Sequence, residues 1–266
     1  MIEKIKNKIN FLYSNYMTKN LIKKYDFVEK KNLVRLGSVY GGWTFENKKN
    51  LYGSTILSCG LGEDASFDIE FANKYNAKII IVDPTPRSKI HYNNIKQSLG
   101  NSKKTNYNKS GNQDVSSYDL SNIKNENLNL IERALFNKDN DRIKFFKPPL
   151  QKEISHSINN WQNDYSKETD YIEVSTITIK SIIEEYNIEN IPLLKIDIEG
   201  AEIEVIENMF GDNIKPTQIC VEFDELNKFN KYGKKRFIKT ADLLRDMGYQ
   251  FINISSHPNF LFTLDT

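Results

Sequence analysis

The sequence predicts a doubly wound α/β fold, in which helices cover both faces of a mostly parallel sheet. Short runs of β-branched and apolar residues end in glycine or an acid, which is typical of strands buried on both faces. Helical patterns lie between these runs, and this alternation predicts a parallel sheet. The last two apolar runs are four residues apart, which is hairpin spacing, so one strand near the C-terminus is expected to be antiparallel.

The predicted elements alternate from residue 55 to the end of the chain. Strands are predicted at residues 55–58, 78–82, 193–198, 218–223, 249–255 and 260–264. Helices are predicted at residues 64–75, 86–99, 177–186, 201–210 and 236–247.

Two segments lie outside this pattern. Residues 1–32 are predicted to be an N-terminal helical segment with an apolar stripe (Ile2, Ile5, Ile9, Leu12 and Tyr16), and residues 33–266 to be the main domain. The stripe fits a dimerisation helix, a membrane-surface helix or a helix packed on its own domain. Residues 101–129 are rich in Asn, Ser and Lys, so we expect a polar surface insertion, with a lid over a substrate site as the alternative.

Composition and charge exclude several classes of protein. The 266 residues include 37 Lys and Arg against 35 Asp and Glu, and this near balance argues against a dedicated nucleic-acid binder. The 2 cysteines exclude a disulfide scaffold and fit a reducing compartment. Without a secretory signal or an apolar run of about 18 residues, we expect a cytoplasmic protein that does not span a membrane.

A glycine turn follows the first predicted strand. Gly60 and Gly62 would let the backbone approach a ligand at the start of a helix. Glu63 and Asp64 would repel the pyrophosphate of a dinucleotide but suit a ligand with positive charge, such as a sulfonium. Their alternative role is to support the helix N-terminus. Asp83 lies 23 residues after Gly60, where an acid accepts hydrogen bonds from the hydroxyls of an adenosine ribose.

Two further strands end in acids. Asp197 and Glu199 follow one strand, and Glu222 and Asp224 the next. At the carboxyl edge of a sheet these acids would act as a base or hold a divalent cation, while simple caps and ion pairs are the alternative. We assign Asp197, Glu199 and Glu222 as catalytic candidates, and Asp197, Glu222 and Asp224 as candidate metal ligands. His257, in the predicted hairpin turn, is a candidate base or metal partner.

These motifs resemble those of FkbM-type methyltransferases, which use S-adenosylmethionine to methylate oxygen. The resemblance spans residues 33–265 and is carried by ILSCGLGEDASFDIEFA, IIIVDPTPRS and LLKIDIEGAEIEVIE, with YGGW and NFLF in addition. It implies a Rossmann-like class I methyltransferase sheet with one antiparallel strand near the C-terminus. It also implies that Gly60, Gly62 and Glu63 line the methionine side of the cofactor and that Asp83 holds its ribose. The further cofactor contacts predicted in the same motifs are Asp64, Ser66 and Pro84.

The resemblance also implies an acceptor. Hydroxyls of sugars or polyketides are the expected substrates, and we expect a soluble nucleotide-activated sugar for a bacterial surface polysaccharide, such as a capsule. Magnesium is a candidate cofactor because related sugar methyltransferases often use it. Two other functions stay open: an NAD-dependent oxidoreductase acting on a nucleotide sugar, and a non-catalytic member that binds a sugar or a partner.

Overall fold

The computed structural model describes residues 16–18, 20–147, 158, 166–226, 231–254 and 259–264. Its strands are β1 (Phe27–Val28), β2 (Leu33–Leu36), β3 (Trp43–Glu46), β4 (Thr55–Cys59), β5 (Lys78–Val82), β6 (Leu128–Ile131), β7 (Ala134–Leu135), β8 (Arg142–Phe146), β9 (Tyr171–Ile177), β10 (Leu194–Ile196), β11 (Gln218–Glu222), β12 (Tyr249–Ile252) and β13 (Asn259–Leu264). Its helices are α1 (Ser66–Tyr75), α2 (Pro86–Gln97), α3 (Ile179–Tyr186), α4 (Glu202–Gly211) and α5 (Lys231–Asp246).

The main sheet has the predicted topology. Its strand order within the described residues is β1-β12-β13-β11-β10-β4-β5-β6. β13 is antiparallel to both of its neighbours, β11 and β12, whereas the other pairs in the sheet are parallel. The prediction of a Rossmann-like α/β sheet with one antiparallel strand near the C-terminus is therefore confirmed.

Apolar residues are buried on both faces of this sheet. Alternate strand residues point to opposite faces, so Leu57 packs with α3, α4 and α5, while its neighbour Ile56 packs with α1 and the β2–β3 hairpin. Aromatic rings fill the second face, where Phe45 contacts Phe67 and Phe71 at centroid distances of 6.1 and 5.3 Å. Burial on both faces explains why the strands lack an apolar–polar alternation.

The β2–β3 hairpin was not predicted, and one buried side chain joins it to the main sheet. The side chain of Gln218, at the start of β11, accepts a hydrogen bond from the Glu46 N–H at 2.8 Å and donates one to the Glu46 carbonyl at 2.9 Å. Gln218 is fully buried. The hairpin thereby has a fixed position over the sheet, and it carries the loop that reaches the functional site.

The segment at residues 101–129 is more than the polar surface insertion that the sequence predicted. Four of its few apolar residues, Tyr118, Leu120, Ile123 and Leu128, are buried in the core on the α1 side. It leads directly into β6, which pairs with β5. A three-stranded sheet of β7, β9 and β8 follows, and the sequence did not predict it.

The N-terminal segment extends the main domain where the structure describes it. Leu21 and Tyr25 are buried in the core, and the Tyr25 ring stacks on Phe251 at 4.6 Å. β1 then joins the edge of the main sheet. The apolar stripe lies outside the described residues except for exposed Tyr16, so its role in dimerisation stays a prediction. No helix of the described chain is both long and apolar enough to cross a membrane.

We predict that Gln218→Leu lowers the free energy of unfolding by about 2–4 kcal/mol, because it leaves the N–H and carbonyl of Glu46 buried without their partner. Urea denaturation measures the change. Gln97→Leu, the same substitution at an exposed position at the end of α2, is the control and should change stability by less than about 0.5 kcal/mol. Equal effects of the two substitutions would contradict this role of Gln218.

Candidate active site

A cavity of about 430 Å³ lies at the carboxyl ends of the central strands. Gly60 follows β4, Asp83 follows β5, Asp197 follows β10 and Glu222 ends β11, and all four line the cavity. The sequence therefore predicted correctly which strand ends meet. This edge is where open α/β sheets bind ligands.

Asp83 holds the glycine turn in place. Its Oδ2 accepts hydrogen bonds from the backbone N–H groups of Leu61 and Gly62, both at 2.9 Å. Its Oδ1 accepts from the N–H and the hydroxyl of Thr85, at 2.8 and 2.7 Å. A carboxylate has about four acceptor positions, so a ribose hydroxyl would share one of these with the protein. The predicted ribose contact thus has a structural role that the sequence did not indicate.

Gly60 lies directly against the end of β10. Its φ of +89° favours glycine, and a Cβ at this position would overlap the carbonyl oxygen of Asp197. The Gly60 N–H donates to Val82 at 2.9 Å, and the Asp197 N–H donates to Cys59 at 3.0 Å. The turn is therefore fixed between β5 and β10, and its backbone forms one wall of the cavity.

Asp64 and Ser66 support the turn from behind. Asp64 accepts hydrogen bonds from the Ser38 hydroxyl at 2.6 Å, the Ser66 N–H at 3.0 Å and the Gln113 amide at 3.2 Å. Ser66 is fully buried, and its hydroxyl accepts from the Ser38 N–H at 2.7 Å. Ser66 is not among the lining residues of the cavity, so its predicted cofactor contact stays a prediction. Asp64 lines the cavity, but its oxygens already accept these hydrogen bonds. This favours the alternative role predicted for Asp64, which is to support the N-terminus of the helix.

Glu63 and Pro84, two other predicted cofactor contacts, do line the cavity. Glu63 also forms an ion pair with Arg87 at 3.5 Å. Pro84 lies in an apolar part of the wall, together with Val82 and Leu135. Apolar walls of this kind suit a flat, uncharged ring of a ligand.

Arg35 shapes a loop at the mouth of the cavity. Its guanidinium donates to the carbonyls of Gly37, Ser38, Val39 and Gly42 at 2.8–3.4 Å. These bonds hold residues 37–42 as a compact turn before Trp43. Neither Arg35 nor this use of its five donors was predicted, since the sequence gives no sign of which way the side chain points.

Tyr40, at the tip of that loop, is 65% exposed and lines the cavity. Its ring lies against Gly111, where a Cβ would approach it to 2.5 Å. Although most of the side chain is exposed, desolvation of the hydroxyl, and then the charges of Asp197, Glu199 and Glu222, raise the pKa of that hydroxyl. The Tyr40 hydroxyl therefore lies near the acidic end of the cavity.

The acidic end contains three of the predicted catalytic residues. Asp197, Glu199 and Glu222 all line the cavity. β10 ends at Ile196, so Asp197 and Glu199 lie on the following loop and not on one face of a longer strand. Glu199 has a left-handed backbone, with a φ of +59°, which is uncommon for a non-glycine residue. Burial raises the pKa of Asp197, and the nearby Lys195 opposes that shift.

Glu202 fixes the conformation of this loop, although it was not among the predicted site residues. Its carboxylate accepts hydrogen bonds from the N–H groups of Ile198 and Gly200 at 3.1–3.2 Å, and only 1% of the residue is exposed. Burial, followed by the charges of Asp224 and Glu225, raises its pKa well above the ordinary value. The signal was present in the sequence, since Glu202 closes the motif LLKIDIEGAE.

The predicted metal set does not assemble. Asp224 lies in a 3₁₀ turn (Asp224–Leu226) after β11 and is not among the cavity's lining residues. Within the described part of the chain, no group of three or more His, Cys, Asp or Glu side chains could hold a metal ion. The structure therefore does not place Asp224 with Asp197 and Glu222 at the cavity, which corrects the predicted set of metal ligands. His257 lies outside the described residues, although Asn259, at the start of β13, lines the cavity.

A chain of hydrogen bonds connects the segment at residues 101–129 to the turn. The Tyr118 hydroxyl accepts from the Ala65 N–H at 3.0 Å and lies 2.8 Å from Nε2 of His91. The tautomer of the His91 ring sets the direction of this hydrogen bond, since the hydroxyl can either donate to Nε2 or accept from it. Burial lowers the pKa of His91 from 6.5 to about 4, which agrees with a neutral ring.

The chain belongs to the family of FkbM methyltransferase domains. The family model matches residues 41–251, which is more than half of the 266-residue chain and includes Gly60, Asp83, Asp197 and Glu222 at the central strand ends. This confirms the family that the sequence motifs resemble. No curated protein sequence matches the chain significantly.

Two solved structures are distantly similar to this chain. One is the SAH-bound methyltransferase PaMTH1 of Podospora anserina, with 8% identity and a TM-score of 0.40 over 80% of this chain and 72% of that one. The other is the pre-rRNA processing protein fibrillarin of Methanococcus jannaschii, with 10% identity and a TM-score of 0.38 over 82% and 70%. At these sequence identities and TM-scores, neither structure supports an inference about the substrate or the mechanism of this protein.

We predict that Gly60→Ala prevents ligand binding in the cavity, because the added Cβ forces the turn away from Asp197. Gly100→Ala is the matched control, since Gly100 also has a positive φ, of +85°, but has open space around its Cα. The control should lose about 1–2 kcal/mol of stability and keep its ligand affinity. Calorimetry with S-adenosylhomocysteine, alongside thermal unfolding, measures both effects. Normal ligand affinity in Gly60→Ala would contradict the assignment.

We also predict that the neutral state of His91 makes stability depend on pH. The folded pKa lies below the unfolded one, so its contribution is complete above about pH 6.5 and is lost as the pH falls towards 4. Between pH 7 and 4.5 the wild type should lose about 2 kcal/mol more than His91→Phe, measured by urea unfolding. His91→Gln should show the same reduced pH dependence. A pH dependence equal to that of the wild type in both variants would refute the neutral buried ring.

Proposed function

We propose that this protein is an S-adenosylmethionine-dependent O-methyltransferase that acts on a sugar hydroxyl. The observation that carries the proposal is a cavity lined by acids at the strand ends of an FkbM methyltransferase domain. The acids are Glu63, Asp64, Asp83, Asp197, Glu199 and Glu222, against the two cations Arg35 and Lys195 among the described lining residues. An excess of acids suits a cofactor with net positive charge, and Glu63 and Asp64 at the glycine turn disfavour a dinucleotide, whose pyrophosphate would lie there.

The lining residues fit the parts of such a cofactor. The apolar side chains of Val82, Pro84 and Leu135 suit the adenine, and Lys195 with the acids suits the amino-acid part. The glycine turn offers its backbone to the ribose, and Asp83 is bonded to that turn. Asp83 is proposed to contact the ribose by sharing an acceptor position that now serves the turn.

When bound, S-adenosylmethionine supplies an electrophilic methyl group on a sulfonium. The protein's part is to hold the acceptor oxygen in line with that methyl and to take up the hydroxyl proton. Asp197, whose pKa is raised by burial, is the proposed base, because a higher pKa makes a carboxylate a better proton acceptor. The C–S electron pair stays on sulfur as the C–O bond forms, and the proton goes to the carboxylate. Glu222 and Glu199 orient the hydroxyl beside it.

A nucleotide-activated sugar for surface polysaccharide synthesis is the proposed acceptor. Tyr40 supports a sugar because it places an exposed aromatic ring beside the carboxylates that would bind hydroxyls. Aromatic side chains combine an apolar face with a polar end, which fits the mixed surface of a sugar. Magnesium remains a predicted cofactor, on the family resemblance alone. Methyltransferase activity that persists after EDTA treatment would exclude a requirement for magnesium.

Calorimetry followed by product analysis tests the proposal. We predict that the protein binds S-adenosylmethionine and S-adenosylhomocysteine, and that mass spectrometry finds a gain of one methylene in a nucleotide sugar. Asp197→Asn should bind S-adenosylhomocysteine within about threefold of the wild type and lose about 10²–10⁴-fold in rate.

Three other outcomes would each change the proposal. Binding of NAD alone would favour an oxidoreductase. Cofactor binding without methylation of any sugar in the panel would favour a non-catalytic role or another acceptor. A wild-type rate in both Asp197→Asn and Glu222→Gln would exclude these carboxylates as the base.

A further inference from the structure

Lys195 is a buried cation at the floor of the cavity. It lies in the middle of β10, between Ser58 of β4 and Cys220 of β11, and only 5% of it is exposed. Its Nζ donates to the Gly60 carbonyl and lies 5.6 Å from the centre of the Trp43 ring. A buried charge is costly unless it is compensated. The carboxylates of Asp68 and Asp197 supply part of that compensation, since Lys195 opposes the rise in the pKa of each.

The Lys195 ammonium group has more N–H donors than it uses within the described part of the chain. It carries three N–H donors, and the hydrogen bond to Gly60 is the one it makes within the described residues. Since Lys195 also lines the cavity, the other donors are available to a bound ligand. The position is rigid, because a strand in the centre of the sheet carries it.

Arg35, the other cation among the described lining residues, has a different role. Its guanidinium is bonded to four carbonyls of the loop at residues 37–42. A negatively charged ligand group would therefore meet Lys195 first. The surrounding carboxylates would repel such a group anywhere else at that end of the cavity.

We infer that Lys195 binds the carboxylate of the cofactor's methionine moiety, an inference that rests on the proposed function. The amino-acid part carries both a carboxylate and an ammonium. Lys195 holds the first, and the excess of acids among the described lining residues attracts the second. Among the described lining residues the other cation is Arg35, whose guanidinium is bonded to the loop, so no comparable partner for a carboxylate remains. Lys195 thereby makes an acidic cavity select an amino-acid ligand over a simple cation.

The test compares two ligands that differ in that carboxylate alone, S-adenosylmethionine and decarboxylated S-adenosylmethionine. Calorimetry measures the affinity of each for the wild type, Lys195→Met and Lys78→Met. Lys78 is an exposed lysine at the start of β5, so its variant is the matched control. Thermal unfolding of each variant checks that it is folded.

The wild type should bind S-adenosylmethionine at least about 10-fold more tightly than the decarboxylated ligand. Lys195→Met should weaken S-adenosylmethionine binding by about 10- to 100-fold and change binding of the decarboxylated ligand by less than about 3-fold. Lys78→Met should bind both ligands as the wild type does. If Lys195→Met does not fold, the inference is tested by the wild type alone, through the ratio of its affinities for S-adenosylmethionine and the decarboxylated ligand.

Equal losses for both ligands in Lys195→Met would overturn the inference, and so would a wild type that does not prefer the carboxylated ligand. Lys195 would then only support the Gly60 turn. These results leave the proposed function intact, because the wild type still binds S-adenosylmethionine. A wild type that binds neither ligand overturns the proposed function and this inference together.

Discussion

The close approach of the Gly60 backbone to the carbonyl of Asp197 is the constraint on which the site depends. It requires a residue without Cβ at a positive φ, and it joins the end of β4 to the end of β10. Asp83 holds the same turn from the β5 side through the N–H groups of Leu61 and Gly62. The cavity exists because three strand ends are held together at this point, and the proposed base and cofactor wall are set by the same contacts.

The rest of the site is built outward from that turn by elements distant in sequence. The loop that Arg35 organises reaches it through Ser38 and Asp64, at 2.6 Å. The segment at residues 101–129 reaches it from the other side, through the Tyr118 hydroxyl and the Ala65 N–H. A segment that looks dispensable from its composition thus supports the backbone around the cavity.

The sequence predicted the sheet well and the details of the site only in part. Runs such as residues 78–82 and 218–223 are strongly apolar and end in acids, so both the strands and the edge of the site could be identified. The two residues of β7, or the hairpin of β2 and β3, carry too little periodicity to be found without knowing their partners. Ser66 and Asp224 are not among the lining residues of the cavity, and a motif does not show this because it gives the position of a residue but not the direction of its side chain. Lys195 was given no role from the sequence, because a lysine in a strand becomes informative only when its burial is known.

A crystal structure with S-adenosylhomocysteine would test the central claim most directly. The account predicts the ligand in the cavity between the Gly60 turn and Asp197. Its adenine should lie against Pro84 and Leu135, its ribose near Asp83 and its carboxylate within hydrogen-bond distance of Lys195. Density for the ligand at another place, or a turn at Gly60 that has moved away from Asp197 in the complex, would contradict it.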